Sequence, residues 1–92
     1  MRPVRVADAA YRDLARLSAW LAPKSLRAAD LAADALSDAI ESLAEFPERG
    51  RLLHGSVREL PVKFGRYGYV VRYRVSAAGV MVTRLRHARE RF

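Results

Sequence analysis

Most of the chemistry this sequence could perform belongs to arginine. From Arg58 to Phe92 the chain carries Arg58, Lys63, Arg66, Arg72, Arg74, Arg84, Arg86, Arg89 and Arg91 against Glu59 and Glu90, a balance of +7. Residues 1–57 carry eight basic and eight acidic side chains, so the second stretch holds the whole net charge. A guanidinium is planar and makes paired hydrogen bonds to phosphate or carboxylate. A surface built from this segment is therefore suited to a polyanion or an acidic protein partner. The two histidines, His54 and His87, are isolated and cysteine is absent. Disulfides and thiol–zinc sites are excluded, and neither a metal nor a cofactor is expected. No phosphate-binding glycine loop, nucleophile elbow or paired-carboxylate site is present. His87, just past Arg84 and Arg86, is the one ready candidate for proton transfer; His54 has no evident partner.

A small fold must position these residues. Ninety-two residues make a single domain, 1–92, with a modest core. No apolar run is long enough for a signal peptide or a membrane span, and a cytoplasmic protein is expected. Residues 2–6 predict a short strand with Val4 and Val6 on one face. Asp8 is the expected N-cap of a first helix over about 9–22, where Ala10, Leu14, Leu17 and Leu21 recur at helical spacing and Pro23 ends it. Ser25 caps a second helix running to about Phe46. Its inner face is Ala29, Ala33, Leu36, Ile40 and Leu43, and Asp30, Asp34, Asp38, Glu41 and Glu45 form a solvated acidic stripe. Two helices so closely linked pack as an antiparallel hairpin.

Pro47 to Arg51 reads as a loop, after which the apolar period changes from helical to alternating. Leu60, Val62 and Phe64 predict one strand, and Pro61 makes it an edge strand or a bulged one. Val71, Tyr73 and Val75 predict the next, and Met81, Thr83 and Leu85 the last. Residues 65–68 and 76–79 are the turns. The expected fold class is α+β in the order β-α-α-β-β-β, a helical hairpin on one face of a small, mainly antiparallel sheet. A three-residue loop with Gly79 at positive φ would set Val71 opposite Leu85, Tyr73 opposite Thr83 and Val75 opposite Met81. Arg72 then faces Arg84 on the far side, with Arg74 and Arg86 diagonal to them. A register shifted by one would bury Arg84 beside Val71. Trp20 and Tyr11 flank the inner stripe of the first helix, where an exposed Trp20 would mark a protein interface.

Several segments together resemble the RelE/ParE superfamily of bacterial type II toxins, and its ParE branch more closely. They are Ala10 with Asp13-Leu14, Ala39-Ile40 with Leu43-Ala44, Phe46-Pro47-Glu48-Arg49-Gly50-Arg51, Arg58-Glu59-Leu60, Tyr73-Arg74-Val75 and Arg84-Leu85-Arg86-His87-Ala88-Arg89. The resemblance spans nearly the whole chain. It implies a toxin silenced by a cognate acidic antitoxin, in a hetero-oligomer, with Leu14, Leu17, Trp20 and Leu21 as antitoxin-binding candidates. ParE-like members poison DNA gyrase, and RelE-like members cut mRNA in the ribosome. The arginines Arg72, Arg74, Arg84, Arg86 and Arg89 are then candidates for target or polyanion binding. Those ribonucleases typically have an arginine a few residues before the tyrosine that aligns with Tyr73, where this chain has Val70. They often have a tyrosine where this chain reads Arg89-Glu90-Arg91-Phe92. RNA cleavage needs one group to activate the 2′-hydroxyl and another to protonate the leaving oxygen; His87 alone is ready, with Arg72, Arg84 or Arg86 as phosphate stabilisers. The expected function is a non-enzymatic gyrase poison. The alternatives are a ribosome-dependent mRNA endonuclease and a non-toxic basic nucleic-acid-binding module.

Overall fold

The computed structural model describes residues 1–92. The chain forms β1 (Val4–Val6), α1 (Asp8–Leu21), α2 (Leu26–Ser42), β2 (Arg51–His54), β3 (Val57–Val62), β4 (Tyr69–Ser76) and β5 (Gly79–His87). The strands make one five-stranded sheet in the order β1-β5-β4-β3-β2. β1 runs parallel to β5 and the other neighbours are antiparallel. The helical hairpin covers one face, so the α+β class is as the sequence predicts, with one strand more.

Ser25 caps α2 as expected, its hydroxyl accepting from the Ala28 N–H at 3.0 Å. Asp8 does not cap α1: Ala7 occupies that position, and Asp8 is the first helical residue, where its charge still complements the exposed N–H groups. α2 stops at Ser42, short of Phe46, because Leu43 N–H turns to the Ile40 carbonyl and Ala44 N–H to that of Glu41. Such i→i−3 bonds tighten and close a last turn. Leu17 from α1, Leu36 from α2, Leu43 just past its end, and Val71, Tyr73, Val82 and Leu85 from the sheet fill the core. Ala32 and Ala39 are buried while Ala33 and Ile40 are half-buried, so the inner face of α2 is rotated from the expected one.

β2 lies where the sequence gives a loop and its unassigned continuation. It pairs with β3 through Arg51↔Glu59, Leu52↔Arg58 and His54↔Val57 and goes no further. Pro61 lies beyond that pairing, on a stretch of β3 whose outer side is free, where a strand tolerates proline. β3 is therefore internal in its first half and an edge in its second.

The β4–β5 hairpin follows the expected register only away from its turn. Val71↔Leu85 and Arg72↔Arg84 pair as predicted, but Tyr73 faces Val82, Arg74 faces Met81 and Val75 faces Val80. The loop is Ala77-Ala78, shorter than expected, and Thr83 is an extra residue that forms a bulge. The shorter loop turns Val80 and Val82 into the core, and the bulge restores the parity that brings Leu85 in as well. The Thr83 hydroxyl donates to the Arg72 carbonyl at 3.2 Å across the irregularity. Gly79 has φ of 126°, positive as predicted. A Cβ there would lie 2.4 Å from the Pro3 carbonyl oxygen, which accepts the Val80 N–H.

Candidate functional site

Pairing Glu59, Arg72 and Arg84 across adjacent strands gathers charge on the sheet face away from the helices. Glu59 is buried there. Arg72 donates from Nε and one terminal nitrogen to a single Glu59 oxygen at 3.0 and 2.8 Å. Arg86 reaches the other Glu59 oxygen at 3.7 Å. It also donates to the carbonyls of Ala88 and Glu90, both at 3.0 Å. Arg84 leaves the row and meets Asp13 of α1 with a two-pronged contact at 2.8 and 3.1 Å. Asp13 also accepts the Leu85 N–H at 2.8 Å, closing the edge of β5 beyond the residues that β1 covers. Burial alone would raise the Asp13 carboxyl, but hydrogen bonds from Arg84 and Leu85 and the charges of Arg84 and Arg16 outweigh it. They hold the group below its ordinary value of 3.8.

The four arginines expected on the open face thus do different things. Arg72, Arg84 and Arg86 surround the ring of Phe92, their guanidinium carbons 4.4, 4.9 and 5.3 Å from its centroid. All are held by carboxylates, so repulsion between the facing Arg72 and Arg84 is offset within the molecule. Arg74 alone projects freely, exposed beside Met81. Arg89 lies elsewhere, over Tyr67.

The segments that carry the family resemblance prove to hold one another. The Tyr73 hydroxyl, fully buried, donates to the Pro47 carbonyl and accepts the Gly50 N–H, both at 2.8 Å. A Cβ on Gly50 would come within 2.6 Å of that hydroxyl, so the loop requires glycine. Arg58 donates to the Gly50 carbonyl at 2.9 Å. Asp13 with Arg84, and Glu59 with Arg72, are the other ties. Asp13 was legible as an inward residue, because it falls between Ala10 and Leu17 on the inner stripe. The Glu59 contacts needed the β3–β4 register, which sequence alone does not set.

His87 stands at the end of β5 opposite Tyr69, as the register predicts. Its ring meets those of Tyr69 and Tyr67 edge-on, with centroids 5.7 and 6.0 Å away. Its Nδ1 accepts the Arg89 N–H at 3.2 Å, which places the proton of the neutral ring on Nε2. Burial, and then the Glu90 charge, raise the Tyr69 hydroxyl above its ordinary value of 10.0. His87, Tyr69, Trp20, Leu17, Arg16 and Glu90 line a cleft of about 390 Å³. Glu90 spans it, accepting from Arg16 at 2.6 Å and from the His87 N–H at 2.8 Å. The sequence reading missed Arg16 and Glu90, whose spacing gives no signal. Of the candidates on α1, Leu17 and Trp20 reach this cleft, and Trp20 is 65% exposed. Leu14, Leu17 and Leu21 line the shallow seam between the helices. His54 is exposed on β2, with no side-chain partner. No three His, Cys, Asp or Glu side chains converge as a metal-binding group, and no helix is long and apolar enough to cross a membrane.

Residues 4–92 match the family model described as the ParE toxin of the type II toxin-antitoxin system, parDE. The chain is 41% identical over 91 residues to Toxin RelE3 of Caulobacter vibrioides, covering 99% of both chains. It is 41% identical over 87 residues to Toxin RelE1 of the same organism, covering 95% of this chain and 94% of the relative. It is 42% identical over 79 residues to Toxin RelE2, covering 86% of each. The matched stretch spans both helices and every strand. The chain belongs to the ParE toxin family within the RelE/ParE superfamily, and is the toxin of a type II toxin–antitoxin system.

Proposed function

We propose that this toxin arrests growth by binding and poisoning DNA gyrase, without itself catalysing a reaction. One observation carries the reading: the groups an RNA-cleaving site would need are already engaged. Arg72, Arg84 and Arg86 are tied to Glu59 and Asp13, and the Glu90 carboxylate is held by Arg16 and the His87 N–H. His87 offers one free ring nitrogen, whereas cleavage requires both an acid and a base. The family model supports the same target by resemblance. The antitoxin is expected to be acidic, with apolar anchors on Leu14, Leu17, Trp20 and Leu21. Charge complementarity speeds such an association while the anchors supply most of the affinity.

A second reading, the ribosome-dependent mRNA endonuclease, is favoured by the convergence of His87, Tyr69, Arg16 and Glu90 on one cleft and by the relatives named RelE. Controlled induction in bacteria separates the two. Gyrase poisoning gives chromosome breakage and an SOS response, and His87→Ala stays toxic. Immediate translation arrest, lost in a folded His87→Ala variant, would establish the endonuclease instead.

A further inference from the structure

Just beyond the cleft, charge gathers with nothing to balance it. Arg66 and Arg89 both lie over the ring of Tyr67, their guanidinium carbons 5.5 and 4.7 Å from its centroid. Neither meets a carboxylate; the arginines in ion pairs are Arg16, Arg72, Arg84 and Arg86. The ring attracts each guanidinium, the two like charges repel each other, and an anion between them would offset that repulsion. His87 links this pair of arginines to the cleft, because its ring packs against Tyr67 on one side and Tyr69 on the other.

We propose that this end of the molecule binds a nucleobase–phosphate unit. The base enters the cleft walled by Trp20, Tyr69 and His87, and the phosphate lies on Arg66 and Arg89. Rings offer every base a surface to stack on, and arginines recognise the phosphate beside it. Within the cleft the polar groups can meet a base edge: His87 Nε2–H and Arg16 donate, and Glu90 accepts. A carboxylate-rich peptide would satisfy the two arginines but leave the flat aromatic walls unused. The site accommodates a free nucleotide or one nucleotide of a single strand.

Trp20 is the one tryptophan of the chain, so its fluorescence reports the cleft directly. The full-length protein is titrated with AMP, adenosine, single-stranded A10 RNA, single-stranded A10 DNA and a ten-residue glutamate peptide. Saturable quenching by AMP below roughly 1 mM, the weak end of specific binding, identifies a free-nucleotide site. Saturation by the oligonucleotides alone identifies a strand site, and either result supports the proposal. Arg66→Ala/Arg89→Ala should weaken binding at least tenfold. Arg27→Ala/Arg51→Ala, which removes the same charge from exposed positions elsewhere, should leave it unchanged. Thermal melting confirms that both variants fold. The proposal fails if no nucleotide or oligonucleotide quenches saturably, if adenosine binds as well as AMP, if the glutamate peptide binds as well as the nucleotides, or if the Arg66/Arg89 variant binds like the parent.

Discussion

Asp13 shows how much one side chain can hold. It is 5% exposed, pairs with Arg84 and Arg16, and accepts the N–H of Leu85. Asp13→Ala strands that buried N–H and is expected to destabilise the fold by about 2 kcal/mol, a cost set by the unsatisfied donor. The same carboxyl gives stability a pH dependence. Its folded value lies below 3.8, so its contribution is complete above the unfolded value and is lost as pH falls through the lower folded one. Chemical denaturation at a series of acidic pH values should therefore show a decline that Asp13→Asn flattens. At the other end of the sheet, Tyr73→Phe removes both hydroxyl contacts with Pro47 and Gly50. A loss of roughly 1–2 kcal/mol is expected, since the buried Gly50 N–H loses its acceptor. Gly50→Ala should cost more, because its Cβ meets the Tyr73 hydroxyl and, at 2.8 Å, the Glu59 carbonyl oxygen. Equilibrium urea unfolding ranks the two variants.

At the scale of elements, the edge of β5 gives the clearest expectation. Leu85 N–H points beyond the three-residue stretch covered by β1, so without Asp13 it would exchange with water. Hydrogen exchange should find Leu85 protected in the parent and fast in Asp13→Ala, while the internal Val71 amide remains slow. Much of this architecture was legible. The apolar spacing of Ala10 and Leu17, the Ser25 cap and the alternation of Val71, Tyr73 and Val75 define a helical hairpin against a sheet. β2 was not legible, because its four residues are mostly exposed and lack alternation. The Thr83 bulge escaped because apolar parity on each side of it is locally consistent, and the short loop goes with tertiary contacts that spacing does not show, the pairing of β1 with β5 and the Val80 N–H on the Pro3 carbonyl. The basic face was read from composition, but composition does not reveal which arginines are already spent on Asp13 and Glu59. Arg84 and Arg86 consequently make poor probes of target binding, since reversing either charge breaks an internal tie. Arg74→Glu is the clean probe: it should leave the melting temperature nearly unchanged and reduce toxicity.

The whole molecule is electrostatically two-sided. Asp30, Asp34, Asp38 and Glu41 along α2, and Glu45 just beyond it, are exposed and join no ion pair, whereas the +7 excess lies in the second half of the chain. Association with an acidic antitoxin should accordingly slow as salt rises, while dissociation, governed by apolar contacts such as those of Trp20, changes little. Stopped-flow mixing at two salt concentrations reads both rates. Purified components distinguish gyrase poisoning from mRNA cleavage. The protein is added to DNA gyrase with relaxed plasmid and ATP and, separately, to ribosomes translating a defined mRNA. Gyrase supercoiling should fail and protein-linked broken DNA should accumulate, equally with the parent and His87→Ala, while the mRNA stays whole. Intact gyrase function together with mRNA cut in the ribosome, and no cutting by His87→Ala, would contradict gyrase poisoning.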